Sequence, residues 1–326
     1  MTCGFSHRDD LWGLKVGRVG MTIRFKLILV WIAVILAINS VLSMAGIRYV
    51  NAVWMQEIQD RVRISLNSAQ AAYDNQQQRV LGYLRATSLD HALSVAISRG
   101  DRDAMEQAMD RVNAAGYLDF VTLLGRDGSV LYRPSRKHVV ENRYGGDPPA
   151  EFAGNRLVQN ARETQQVSSG TIVLTAEQLA AENPELPERA VMKLLPTAAA
   201  KPTQDKVRTS GMCLAGVVPI LDDDRLMVGL LYGGNLLNRR NDVVDLVKKE
   251  VFLGGTLEDE DSGTVTIFQG DLRIATNVMD DQGNRAVGTR LSQPVYEEVL
   301  ERGKVWSAPA FVVNDWYLTS YKPIHD

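Results

Sequence analysis

Between Lys26 and Arg48 the chain carries no charged residue, and the run from Phe25 reads FKLILVWIAVILAINSVLSMAGI. About twenty predominantly apolar residues are enough to cross a ~30 Å hydrocarbon core as a helix. Asn39, Ser40 and Ser43 are mild polar interruptions, tolerable where they face another helix. Trp31 lies inside the run, while Tyr49 and Trp54 sit near its outer end, where amphipathic rings favour the interface. Lys15, Arg18, Arg24 and Lys26 precede the run, and only Arg48 follows it before Glu57. The positive-inside bias therefore puts the N-terminus in the cytoplasm and everything after Arg48 outside. A secretory signal is the rival reading, with residues 27–38 as its apolar region and Ser43-Met44-Ala45 as a small-x-small cleavage site. Against it, the helical pattern continues through Gly46 without a break. Residues 1–20 match no fold pattern, and Met21-Thr22-Ile23-Arg24 would itself make a normal start.

Composition removes several function classes. A length of 326 residues suggests roughly two domains. The net charge is −3 and no Lys/Arg stripe exists, so nucleic acid is not a partner. Cys3 and Cys213 fall on opposite sides of the membrane, which excludes an intramolecular disulfide and a thiolate metal site. His7, His91, His138 and His325 are scattered, with no pair at ligand spacing. There is no G-x-S-x-G elbow, no phosphate-binding G-x-x-x-x-G-K-[ST] loop and no H-E-x-x-H helix. The expectation is a binding module without cofactor or metal, and not an enzyme. The alternatives are a secreted or anchored hydrolase and a dimerisation module that binds nothing.

Past the membrane run, Trp54, Ile58, Val62, Leu66, Ala69, Tyr73, Val80 and Leu84 recur at three- and four-residue steps and draw one apolar stripe along a helix. A long helix with one narrow stripe needs a surface to pack on, either its own sheet or a second copy. A homodimer through residues 47–66 is expected. A further helix ends at Gly100, and Asp101 caps a third with Met105, Met109 and Val112 on one face, closed by Gly116. The period then changes to that of strands, with a hairpin of 120–124 and 130–132. Residues 134–167 are rich in Arg, Gly, Asn and Pro and predict an irregular wrap. Strands follow at 171–174 and 191–195, with a capping pattern at Thr175 and Gln178. After a linker at 196–210 comes a hairpin of 212–220 and 226–232 around Asp222-Asp223-Asp224.

Residues 241–252 are helical, and the acidic run 258–261 lacks the alternate-residue spacing of a calcium loop. A smaller unit completes the chain. It has a hairpin of 264–269 and 272–276 around Gly270-Asp271, a helix at 294–302 capped by Ser292 with Pro294 first, and a hairpin of 311–313 and 316–321. The fold class is α+β: a transmembrane and stalk helix followed by two lobes with antiparallel sheets. The expected divisions are a cytoplasmic segment (1–22), membrane helix (23–47), stalk (48–100), first lobe (101–240) and second lobe (241–326).

Several of these segments resemble the double-Cache sensor domains of bacterial sensor histidine kinases and chemotaxis receptors. They are Gly263-Thr264-Val265-Thr266-Ile267-Phe268 with Arg273-Ile274-Ala275-Thr276-Asn277, Gly288-Thr289-Arg290, and Ala310-Phe311-Val312-Val313-Asn314-Asp315-Trp316-Tyr317. Gly211-Met212, Leu231-Tyr232-Gly233-Gly234 and Leu236-Leu237-Asn238-Arg239 are similar to the first module of such domains. The resemblance implies two PAS-like lobes on one stalk helix, a membrane-distal lobe that holds a small-molecule ligand, and a cytoplasmic output domain, a histidine kinase before a chemotaxis receptor. It also implies a further strand and a second membrane helix after Asp326.

Aromatic and cationic groups near strand ends are what would grip an organic anion. The candidates are Tyr132, Arg133, Arg208, Met212 and Tyr232 in the distal lobe, and Arg273, Trp316, Tyr317 and Tyr321 in the proximal lobe. The expected partners are a small-molecule ligand, the membrane and a second copy of the chain. A reporter that requires export should be active when fused after Val50 or after Asp326. Activity of a cytoplasm-only reporter at Asp326 would contradict the topology.

Overall fold

The computed structural model describes residues 23–136, 152, 154–252 and 263–324. The acidic run 258–261, and residues 137–151 and 153 of the irregular stretch expected from Pro134, lie outside the described residues. The chain divides into two compact units, Met1–Ile58 and Gln59–Asp326. In the first unit the described chain is helix throughout and belongs to α1 (Ile23–Ser88), whose stretch from Leu27 is long and apolar enough to cross a membrane. Its large apolar side chains are exposed, Leu36 and Trp31 among them. Trp54 and Ile58, in the first part of the predicted stripe, are exposed as well.

In the second unit α1 becomes a packing element. Ala72, Tyr73, Val80, Leu81 and Leu84 are buried, at the helical spacing the stripe predicts. The helix stops at Ser88, because the Asp90 carboxylate accepts the Ala92 amide at 2.9 Å and starts α2 (His91–Arg99). Gly100, at a φ of 66°, ends α2 in the left-handed conformation, and Asp101 caps α3 (Arg102–Ala114).

A five-stranded antiparallel sheet follows: β1 (Phe120–Gly125), β2 (Val130–Tyr132), β3 (Ser168–Leu174), β6 (Gly211–Leu221) and β7 (Met227–Leu236), in the order β2-β1-β7-β6-β3. Both faces are covered. Met212, Leu214 and Val218 of β6 turn towards α1, α2 and α3, where Leu84, Leu93 and Met109 are fully buried. Cys213, Ala215 and Val217 turn the other way, onto α4 (Arg156–Thr164), α5 (Ala176–Glu182) and α6 (Leu186–Ala190). A strand buried on both faces loses polar alternation, which is why β6 reads as a continuous apolar run. The Thr175–Gln178 capping box forms as expected.

Three features differ from the sequence reading. Helix α4 occupies part of the stretch expected to be irregular, because Asn155 accepts the amides of Leu157 and Val158 and starts it. The expected linker holds a two-residue strand, β5 (Val207–Arg208), paired with β4 (Met192–Lys193). After Ser292, which makes no side-chain cap bond, one α-helical turn, α8 (Gln293–Tyr296, with Pro294 inside it), passes into a π-helical turn at Glu297–Glu301.

The C-terminal part contains α7 (Asn241–Phe252), β8 (Thr266–Gln269), β9 (Leu272–Thr276), β10 (Trp306–Val312) and β11 (Asp315–Tyr321). Among the described residues, β8–β9 and β10–β11 are separate hairpins rather than one sheet. Ile267, Leu272, Ile274 and Ala275 belong to the same apolar cluster as Tyr73, Met212, Leu237 and Val244, so one core runs from the five-stranded sheet into the C-terminal lobe.

The centre of the sheet depends on a close approach at Gly234, paired with Ala215 of β6. A Cβ there would press into the Leu214 carbonyl oxygen and meet the Phe120 ring. A rigid ladder carbonyl cannot yield as a side-chain end would. Gly234→Ala should lower the unfolding free energy by ~2 kcal/mol or more, measured by urea denaturation. Unchanged stability would mean that the ladder yields at this position.

Candidate functional site

The site is organised by where arginine side chains are buried. Arg273 stands on β9, opposite Phe268 of β8 in the hairpin register. Every residue of β9 is buried. Leu272 and Ile274 enter the shared core, and the two-residue period of a strand turns Arg273 to the opposite side. Only 3% of Arg273 is exposed. Its guanidinium carbon lies 5.3 Å from the centre of the Phe268 ring, a cation–π arrangement. Its Nε and Nη1 have no hydrogen-bond partner among the described residues.

Loss of hydration pulls the Arg273 pKa down to about 10, and the Tyr321 and Tyr317 side chains work against that shift. No acidic side chain contributes to it. Burial likewise raises the Tyr321 hydroxyl, with Arg273 opposing. Phe268 meets Tyr321 edge to face, with ring centres 6.0 Å apart. Both rings also border an open cavity of about 750 Å³, whose other walls include Gln70 and Tyr73 of α1, Thr171 of β3, and Lys322. The Lys322 ammonium donates to Gln70 Oε1 at 2.6 Å, tying the end of β11 to the stalk helix.

The first lobe contains the other deeply buried arginine. Arg133, 7% exposed, follows β2 directly. Its Nη2 donates to Glu182 Oε1 at 3.1 Å and its Nε to Thr122 Oγ1 at 3.3 Å. The Phe152 ring centre is 5.4 Å from its guanidinium carbon. Thr122 also donates to Glu182 Oε2. Tyr232 lies against the same group, 1% exposed, and among the described residues its hydroxyl finds no partner at hydrogen-bonding distance and angle. Asn155, the polar side chain lying towards it, uses its oxygen on two helix amides. The space left beside Tyr232 and Glu182 is about 10 Å³, about the room of one water.

The nine residues expected to bind ligand therefore sort into groups. Arg273, Tyr317 and Tyr321 come together, and so do Arg133 and Tyr232. The other four stand apart. Arg208 reaches the turn of β8–β9, donating to the Gln269 carbonyl at 3.1 Å and lying 3.8 Å from Asp271. Asp271 also pairs with Arg290 at 2.5 Å. Tyr132 donates to Asp110 at 2.8 Å. Met212 is packed in the shared core. Trp316 is 68% exposed and meets only the Phe311 ring among aromatic groups of the described residues. Sequence reasoning missed Phe268, Thr122, Phe152 and Glu182. The hairpin register pairing Phe268 with Arg273 could have pointed to Phe268, whereas nothing in the sequence ties Glu182 to Arg133.

Residues 235–326 match the family described as Single cache domain 3, so the C-terminal lobe is a Cache sensor domain. No curated protein matches the chain. Among solved structures it is similar to the periplasmic domain of Vibrio cholerae LuxQ, with 12% identity, 69% of this chain and 82% of that chain covered, and a TM-score of 0.40. It is also similar to the sensor domain of the V. cholerae histidine kinase DctB, with 11% identity, 68% of each chain covered and a TM-score of 0.35. A third similar structure is the ligand-binding domain of the Pseudomonas aeruginosa PAO1 amino acid chemoreceptor PctC in complex with GABA, with 12% identity, 70% and 77% covered, and a TM-score of 0.31.

Proposed function

We propose that this chain is the ligand-sensing, extracytoplasmic part of a membrane receptor, anchored by the apolar half of α1, and that its C-terminal lobe binds an organic anion on Arg273. The Cache match supports the sensing role, and the uncharged run with its basic N-terminal flank supports the anchoring and orientation. The anion site rests on one observation: a guanidinium 3% exposed, with two nitrogens unpartnered and no acidic side chain acting on it among the described residues. A buried charge without a counter-charge is costly, and a bound carboxylate would supply the two hydrogen-bond acceptors it lacks. Phe268, Tyr317 and Tyr321 would enclose the apolar body of such a ligand. The resemblance points to the other lobe, but there Arg133 is already engaged by Glu182.

Signal transfer needs an output domain, a histidine kinase before a chemotaxis receptor, and a homodimer through residues 47–66. The exposed Trp54 and Ile58 fit the dimer. Lys322 on Gln70 is a direct link from the ligand-binding lobe to the stalk.

A thermal-shift screen of carboxylates, amino acids and amines on the whole chain in detergent tests the site. At a hundredfold excess over Kd a single-site ligand adds ~2.7 kcal/mol, which raises Tm by several degrees. One or more carboxylates should do so for the wild type and not for Arg273→Ala. A carboxylate that stabilises both proteins equally would remove Arg273 from the site.

A further inference from the structure

The first lobe contains a complete receptor for a carboxylate, and we infer that the chain fills it with its own Glu182. Thr122 of β1 and Tyr232 of β7 are direct cross-strand partners, so their side chains leave the sheet on one face. Arg133 follows Tyr132, whose partner on β1 is Leu123, the residue next to Thr122. Three adjacent strands, β2-β1-β7, thus bring a guanidinium, a hydroxyl and a phenol to one level of the sheet.

Glu182 comes from elsewhere. It is the last residue of α5, on the layer that covers this face. Its two oxygens are read separately, Oε1 by Arg133 and Oε2 by Thr122. Phe152 closes over the guanidinium. Both charged side chains are almost wholly buried, at 6% and 4% exposure. The orphan Tyr232 hydroxyl and the ~10 Å³ of space beside it mark a third polar contact that the internal carboxylate does not use.

The sheet supplies the recognition and the covering helix supplies the anion. The lobe is occupied in cis, and it takes an external carboxylate only when Glu182 is absent. This inference goes beyond the proposed function and does not depend on Arg273 binding anything.

Glu182→Ala tests it, because the atoms removed beyond Cβ correspond to an acetate ion. In the full-length chain in detergent, the variant should unfold roughly 10 °C below the wild type, since it strands a buried guanidinium. Sodium acetate at tens of millimolar should restore at least half of that loss, and sodium chloride at equal ionic strength should not. The double variant Arg133→Met/Glu182→Ala should show no acetate response. Because Arg273 is intact in both proteins, that comparison separates this site from the C-terminal one. If acetate shifts Glu182→Ala no more than it shifts the double variant, the inference fails. Should Glu182→Ala yield no folded protein, it is refolded with and without acetate. Recovery only with acetate supports the occupied site, and no recovery in acetate contradicts it. Glu182→Gln, which fills the same space without charge, should gain nothing from acetate.

Discussion

An arginine side chain keeps its charge at any pH a cell experiences, so burying it demands a nearby anion or leaves a standing cost. This constraint meets the chain twice. In the first lobe the demand is answered internally by Glu182, with Thr122 and Phe152 completing the shell around Arg133. In the second lobe, among the described residues, the side chains that act on the Arg273 guanidinium are aromatic, and two of those rings, Phe268 and Tyr321, border a cavity. On the proposed function, that guanidinium is the feature that would separate a sensor from a plain structural lobe.

The surroundings of Arg273 fit a site whose state is felt elsewhere. Its strand shares the apolar core of the first lobe through Leu272 and Ile274. The turn two residues before it is held from outside by Arg208 and Arg290, both on Asp271. Its aromatic neighbour Tyr321 precedes Lys322, which is bound to the stalk helix at Gln70. A shift of β9 or β11 on anion binding would act on packed contacts, and packed contacts pass displacement on because they compress little.

Much of the fold was legible because the dominant signals are local. Apolar and β-branched runs between turn residues located β1, β8, β9 and β11, Gly100 and Asp101 located the end of α2 and the start of α3, and the helical stripe marked the face of α1 that packs from Ala72 onwards. The stretches misread were those where local chemistry is ambiguous. Asn155 starts α4 inside a sequence that looks like loop, and β4–β5 is too short to show a period. The site was legible only in part. Arg273, Tyr317 and Tyr321 were chosen as residue types near strand ends, and the hairpins bring them together. Arg208 has the same chemistry, but its reach to Gln269 and Asp271 makes it a strap between lobes. That Arg133 meets an acid depends on where α5 ends in space, which no pattern within either segment encodes.

The most direct measurement is the stability of Arg273→Met against the wild type without added carboxylate. Burial holds the folded-state pKa of Arg273 near 10, well below that of an ordinary arginine. The folded state therefore binds the proton less tightly than the unfolded state, and the cost is present through the neutral range, lifting only as the pH rises past about 10. Removing the charge while keeping an apolar side chain of similar length should raise the unfolding free energy at pH 7 by ~1–2 kcal/mol, read from urea denaturation in a carboxylate-free buffer. Such a gain is expected of a group kept for binding rather than for folding. A loss of stability of similar size would show that the protein itself satisfies Arg273, and the anion site would fall with it.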